Sequence, residues 1–324
     1  MFTRRVRQLI TSRLQNVVES GDYEFKSAGI DNSGNIYVGY KLYGGEAEKN
    51  NSKNRIAIIR ETGNPNHIIL NLGTITSSHF QVLPSKDNST VHVTGTYMDN
   101  SDFNVLKGVF YAKLNTNDFK LDEIKTTAFP DTLVQRFEHD GWANTKKKSF
   151  GLSRLLDFRF FEKGDGILNM TGEFRRRVEG TKTFFYISGD ILNVSFEKEG
   201  AVFARIPKIR TSAESLIGDS YTAIPFQNKV IVFYDDNDEN LKKSISESPS
   251  NSNVYKNLVL IAAIIESDGS VTRKLVVDLQ NKNYLAVTES MIKEGSDRIL
   301  IPLQKIKSLG GFANNVRWAK IEIN

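Results

Sequence analysis

Carboxylates crowd most tightly in this chain at Asp235, Asp236, Asp238 and Glu239. Hard oxygen ligands at alternate positions suit Ca²⁺, but a Ca²⁺ loop needs DxDxDG spacing and a distal bidentate Glu, and neither is present. The run therefore reads as a solvated loop. Two cationic clusters, Lys146 to Lys148 and Arg175 to Arg177, carry the charge to meet phosphate or an anionic polymer. Aromatic residues do not interleave with them at nucleic-acid-binding spacing, so each reads as a charged surface turn and no nucleic-acid partner is expected. His67, His79, His92 and His139 are too scattered for a local metal motif, and each reads as structural or solvent-exposed.

Nucleophilic and phosphate-handling signatures are missing. The sequence has no GxxxxGK[ST], no GxGxxG between a strand and a helix, no GxSxG elbow and no HExxH. Zero Cys removes thiol nucleophiles, disulfides, cysteine-ligated zinc and iron–sulfur clusters together. Glycoside hydrolysis would need two carboxylates held at a set separation, and nothing in the spacing pairs an acid with a base. No catalytic residue, metal or cofactor is assigned.

Any site must therefore be positioned by the scaffold, and the scaffold is repetitive. Five times a Gly/Asn/Asp turn leads into a β-rich run: DNSGNIYVGYKLY (31–43), KDNSTVHVTGTYM (86–98), EKGDGILNMTGEF (162–174), FQNKVIVFYDD (226–236) and EGSDRILIPLQKI (294–306). The runs begin about 55, 76, 63 and 69 residues apart, and a four-stranded unit of that length is a β-propeller blade. The first unit reads as strands 24–30, 35–43, 55–61 and 67–72; the second as 79–84, 90–98, 108–115 and 120–129. The third reads as 155–162, 166–174, 184–196 and 201–207, and the fourth as 221–226, 229–235, 258–266 and 271–279. The fifth offers 286–293, 298–306 and 316–323 and then stops. The long link 138–151 reads as a polar connection.

The expected fold is all-β: a propeller of about five four-stranded antiparallel blades, with residues 23–324 as one domain and repeats at about 23–75, 76–137, 152–212, 213–280 and 281–324. An unpaired outer strand leaves free backbone donors and acceptors, so residues 1–22 are read either as supplying a closing strand, TRRVRQLI (3–10), or as a short helix. The helical alternative rests on Val6, Leu9, Ile10, Leu14, Val17 and Val18, which share a face at a 3.6-residue period.

A four-stranded meander sends its connections alternately to two ends. One end has the terse turns DNSG, KDNS, KGDG, QN and EGSD. The other has long, dissimilar loops: 43–54, 99–107, 175–182, 235–257 and 307–315. Variable loops on a rigid frame are where binding concentrates, so the candidate partner-binding residues are Tyr43, Phe103, Arg175, Arg177, Tyr255 and Phe312. The innermost strands supply few ionisable groups, namely Lys26, Asp157, Arg159 and Glu289.

Composition fits this picture. A chain of 324 residues with 39% hydrophobic and 10% aromatic content has enough apolar surface for a packed core. The formal net charge of +5 is spread thinly and reads as a soluble surface. The longest apolar stretch, LVLIAAII (258–265), falls well short of the ~20 residues that span a bilayer. The opening MFTRRVRQLITSRLQ lacks the apolar core and cleavage site of an export signal.

Four segments, YISGDILNVSFEKEGAVFARIPK (186–208), FQNKVIVFYDDNDENL (226–241), VFYAKLNTNDFKLDEI (109–124) and LIAAIIESDGSVTRKLV (260–276), resemble a family of uncharacterised β-propeller-like proteins from Bacteroidetes. The resemblance covers nearly all of 23–324 and lies in strand and turn patterns. Longer members look exported, which implies a periplasmic or cell-surface setting. Two functions are carried forward: a non-enzymatic binding or assembly scaffold of the cell envelope with a protein or glycan partner, and, as the alternative, a propeller enzyme acting on carbohydrate or peptide at the central funnel, where Asp157 and Glu289 would have to converge.

Overall fold

The computed structural model describes residues 22–43, 53–61, 64–99, 105–139, 143–144, 151–152, 155–179, 184–213, 221–253, 257–279, 284–295, 297–306 and 312–323. Among the described residues four sheets built on four-stranded antiparallel meanders, a fifth of four strands and one two-stranded ribbon make the chain an all-β protein of the β-propeller class. It divides into two compact units, residues 1–129 and 130–324.

The first unit holds two four-stranded meanders. The first is β1 (Asp22–Ile30), β2 (Ile36–Tyr43), β3 (Asn54–Ile59) and β4 (Asn66–Leu70); the second is β5 (Ile75–Pro84), β6 (Thr90–Asp99), β7 (Gly108–Asn115) and β8 (Lys125–Ala128). Their turns work because an Asp side chain folds back on the backbone two residues later. Asp31 Oδ1 accepts from Ser33 N and Asn35 N at 2.9 Å, and Gly34 takes the left-handed conformation at φ 83. In the second turn Asp87 accepts from Ser85 Oγ and Ser89 N, which hold its carboxyl down at about 2. Between the sheets Tyr37, Ile56, Phe80, Val82, Val93 and Phe110 are fully buried, each contributing about 1.5–3 kcal/mol of transfer free energy.

The second unit opens with a helix that the strand pattern did not announce, α1 (Asp131–His139). Its Leu133, Val134 and Phe137 are buried, and Phe137 meets Phe174 with ring centroids 4.9 Å apart. A two-stranded ribbon follows, β9 (Ala143–Asn144) and β10 (Gly151–Leu152). The third sheet is β11 (Leu155–Glu162), β12 (Leu168–Glu179), β13 (Phe184–Glu197) and β14 (Gly200–Ile206), extended by β15 (Arg210–Ala213). The fourth sheet begins with β16 (Tyr221–Phe226) and β17 (Lys229–Asn237). A short strand, β18 (Ser252–Asn253), crosses back to pair in parallel with β15, and β19 (Leu258–Ile265) and β20 (Val271–Asp278) complete the fourth sheet. The fifth has β21 (Tyr284–Ala286), β22 (Ile292–Glu294), β23 (Arg298–Ile306) and β24 (Phe312–Glu322).

The first strand of the fifth sheet, read as continuous over 286–293, is broken. β21 and β22 pair with opposite ends of β23, with a 3-10 turn at Thr288–Ser290 between them. β24 pairs only with β23 among the described residues, so no fourth strand is seen there. The segment 3–10 lies outside the described residues.

Candidate functional site

The chemistry in the second unit gathers where the third and fourth sheets meet, and a β-bulge begins it. Register slips between Glu173 and Arg175, so that Gly189 and Asp190 on β13 stand opposite Phe174 alone on β12. A bulge re-aims side chains, and Glu173 and Asp190 both end fully buried. After β14 the chain leaves the sheet through Pro207, Lys208 and Ile209 before β15 begins, which brings Arg205, Lys208 and Arg210 to the same place. From the fourth sheet, Asp235 and Asp236 close β17.

These groups are mutually engaged. Arg205 Nε donates to Asp190 Oδ2 at 2.8 Å, and the Lys208 backbone N–H donates to Asp190 Oδ1 at 2.9 Å. Lys208 Nζ donates to Glu173 Oε1, while Arg175 Nη2 reaches Glu173 Oε2 at 3.1 Å. Arg210 Nη1 meets Asp235 Oδ2 at 3.4 Å, and Asn240 Nδ2 donates to Asp236 Oδ1 at 2.7 Å. Glu173, Asp190, Lys208, Asp235 and Asp236 are 0% exposed, Arg210 2% and Arg205 5%. Burying charges is tolerated only with such partners, and loss of one partner from a buried pair costs about 3–5 kcal/mol.

A strap seals the cluster. Asn237 caps the 3-10 turn Asp238–Leu241 by accepting from Glu239 N, and Asn240 Oδ1 then accepts from Ser250 N at 2.6 Å. Arg205 Nη1 donates to Ile245 O at 3.1 Å, Arg273 donates to Lys243 O, and Lys243 Nζ reaches Ser248 O and Ser250 Oγ. Water exclusion shifts the titrations. Burial pushes the Asp236 carboxyl up to about 7 against the pull of Asn240, Lys208 and Arg273. It lowers Lys208 despite Glu173, and it raises Tyr234 well above the usual phenol range. Such an assembly holds a proton near neutrality at Asp236, but no substrate reaches it in this conformation.

Past the bulge, β12 and β13 run on as an arm. Arg176, Arg177, Val178 and Glu179 are exposed on β12, Phe185 on β13 is 39% exposed, and Arg177 lies opposite Tyr186.

Two expectations are overturned here. The run at 235–239 is not a solvated loop: Asp235 and Asp236 are interior, because β17 continues to Asn237 and the strap folds over its end. Arg175 to Arg177 do not form a turn but lie on a strand, and Arg175 turns inward to Glu173 with only 13% of its side chain exposed. Arg177 is exposed, but on β12 and not in a loop. Tyr43, in the first unit, is 41% exposed and donates from its hydroxyl to Glu24 Oε2. Phe103 and Tyr255 lie outside the described residues, as do Lys146 to Lys148; Phe312 opens β24, and its side chain lies outside them too.

Of the inner-strand groups, Lys26 pairs with Glu24 at 2.7 Å, and the Arg159 guanidinium sits 5.5 Å from the Tyr221 ring centre. Asp157 is on β11 and Glu289 in the 3-10 turn of the fifth sheet. Two histidines bond to tyrosines, His67 Nδ1 with Tyr40 at 2.9 Å and His92 Nδ1 with Tyr111 at 2.8 Å. Glu173, Asp190, Arg205 and Lys208 were not singled out in sequence. The available signal was an acid directly after a Gly in an otherwise uncharged strand, as in LNMTGEF and ISGDILNV.

No family model matches the chain. No curated protein matches it either. Solved structures with similar folds include a protein described as a glycoside hydrolase, at 13% identity and TM-score 0.34, covering 94% of this chain and 89% of that one. Bacillus subtilis levansucrase aligns at 10% identity and TM-score 0.33, covering 96% and 87%. A protein of unknown function from Dyadobacter fermentans aligns at 9% and 0.32, covering 94% and 96%. At these scores none of the three bears on the chemistry of the ion cluster. Among the described residues no group of His, Asp and Glu is arranged to hold a metal, and no helix is long and apolar enough to cross a membrane.

Proposed function

We propose that this protein is a non-enzymatic binding or assembly module, with the β12–β13 arm as its partner-facing element and the buried ion cluster as the foundation that holds the arm and strap in place. One observation carries the reading: Glu173, Asp190, Arg205, Lys208, Arg210, Asp235 and Asp236, at that end of the third and fourth sheets, are at most 5% exposed and held by buried partners, whereas Arg176 and Arg177 next to them are exposed. A cationic strand pair with Tyr186 and Phe185 alongside suits an anionic protein or glycan surface. The cell-envelope setting rests on the family resemblance.

The test is retention of the folded protein on immobilised polygalacturonate at low salt. Wild type is retained and elutes as salt rises, and R176E/R177E passes through; equal retention of both removes the arm from the binding surface.

The second reading, an enzyme acting on carbohydrate, is favoured by Asp236, whose raised pKa would suit a general acid near neutral pH. It requires the strap to open, and release of new reducing ends from a polysaccharide, lost in Asp236→Asn, would establish it over the binding reading.

A further inference from the structure

The strap over the ion cluster, residues 238–253, is held down with little apolar contact. In DENLKKSISESPSNSN the apolar side chains are Leu241, Ile245 and Pro249, and Leu241 packs on the core between the third and fourth sheets. The other ties are hydrogen bonds, and the central one is Asn240, which is fully buried. Its Nδ2 donates to Asp236 Oδ1 at 2.7 Å and to Ser250 O at 2.9 Å, while its Oδ1 accepts from Ser250 N at 2.6 Å. One side chain thus joins both ends of the strap to the carboxyl of Asp236. Around it, Asn237 Nδ2 donates to Asn251 O at 2.9 Å, Arg205 to Ile245 O and Arg273 to Lys243 O. A segment with so few buried apolar contacts opens more readily than the sheets it covers, and its closure depends on ionisable partners.

We propose that the strap is a pH-gated cover, locked while the Asp236 carboxyl carries a proton and released when that carboxyl ionises. Lys208 of the link between β14 and β15 and Arg273 of β20 face Asp236 as cations, with Asn240 on the strap and Tyr234 on β17 itself. Tyr234 in turn faces Asp190 of β13, and Lys208 faces Glu173 of β12 and Arg210 of β15. Both cations are already engaged, Lys208 Nζ with Glu173 Oε1 and Arg273 with the Lys243 carbonyl. A bare carboxylate must draw one of them away or take up water. Drawing Arg273 away frees the strap at Lys243, and admitting water opens it at Asn240. Burial holds the Asp236 carboxyl up at about 7, whereas a hydrated one titrates from the ordinary 3.8. Between those values the closed strap keeps a proton that the open strap has released, so closure weakens as pH rises, by up to about tenfold per unit. Lys208, lowered by burial, works in the opposite direction, and substitution separates the two. The switch does not depend on whether the β12–β13 arm binds a partner.

The test is hydrogen exchange of the full chain, read by mass spectrometry on peptides covering 238–253 and 258–265 between about pH 5.5 and about pH 8, with rates corrected for base catalysis of the chemical step. The amides of Lys242, Lys243 and Ser250 report closure, because they donate to Glu239 O, Asn240 O and Asn240 Oδ1. Protection of the wild-type strap is expected to fall at least about tenfold across this range, with β19 at least about tenfold better protected at every pH. Asp236→Asn is expected to hold strap protection constant. Wild-type protection that does not change with pH overturns the proposal. So does a strap as well protected as β19, which would mean that the two open only together, or a loss that persists in Asp236→Asn, which would assign the titration to Lys208 or Tyr234. If Asp236→Asn lacks a cooperative urea transition, Asn240→Ala is measured in its place: with the tie cut, the strap amides should be unprotected at both ends of the range, and protection retained there overturns the proposal equally.

Discussion

The fourth sheet meets its two neighbours through very different chemistry. Toward the third sheet, Val230, Val232, Tyr234, Val259 and Ile261 pack on Ile191, Ala204 and Ile206, and the seam ends in the buried ionisable groups Glu173, Asp190, Lys208 and Asp236. Toward the fifth, Ile231, Phe233, Leu258 and Leu260 pack on Ile299, Ile301 and Leu303, and the seam opens into a groove where Leu275 and Ile321 stand beside Lys274, Lys320 and Glu322. Period-two alternation makes both faces of one strand available for packing. What differs is how each seam terminates. Ions fix direction and register but gain little net stability over apolar residues, whereas an apolar seam is stable and non-directional. The ionic seam is the one that lies beneath the strap and beside the exposed end of β12.

Removing one charge should break the ionic seam most severely. Lys208→Ala takes the buried ammonium from Glu173, while Asp190 keeps the backbone N–H of position 208, with an expected loss of about 3–5 kcal/mol in urea unfolding. Replacing the pair together, as E173L/K208M, should restore most of that loss, because two apolar side chains have no charge to desolvate.

The next effect is on pH. Burial raises the Asp236 carboxyl from 3.8 to about 7, so between those values the native state holds a proton that the unfolded chain has released. The stability tied to that proton is complete below about pH 4 and is lost as pH rises to about 7, on the order of a few kcal/mol. Asp236→Asn should flatten this slope when unfolding is measured from pH 4 to 7.5. A slope unchanged by the substitution would mean that Asp236 is ionised in the native state.

The apolar seam gives a smaller and pH-independent signal. Ile301→Val, at a fully buried position, should cost about 1 kcal/mol at every pH in the same range. Smallest of all is the effect of the arm: R176E/R177E should shift stability by no more than about 0.5 kcal/mol while abolishing retention on polygalacturonate.

Sequence made the repeat legible and left the seam hidden, for physical reasons. Asp31, Asp87, Asp165 and Asp268 each accept a backbone N–H two residues ahead, a local device that is visible wherever Asp or Asn and Gly precede a β-branched run. The strands of the first four sheets follow from those turns. Helix α1 was missed because DTLVQRFEH is short and its burial depends on Phe174 from a distant strand. The ion cluster was missed because it is assembled by a bulge, a link between strands and a strap. None of these announces itself in periodicity, and Asp235 and Asp236 are interior only because Asn240 and Ser250 close over them. Within the candidate binding surface, Arg177 was legible as an exposed cation, whereas the inward turn of Arg175 depends on Glu173, two residues before it across the bulge.

The most direct test of the ionic seam as foundation rather than reactive centre is retention of E173L/K208M on polygalacturonate, measured beside wild type with both proteins verified as folded by their urea transitions. The account predicts equal retention, because an apolar pair supports the arm as the ion pair does. A double variant that folds normally yet passes straight through the column would contradict it and place Glu173 and Lys208 in the working site.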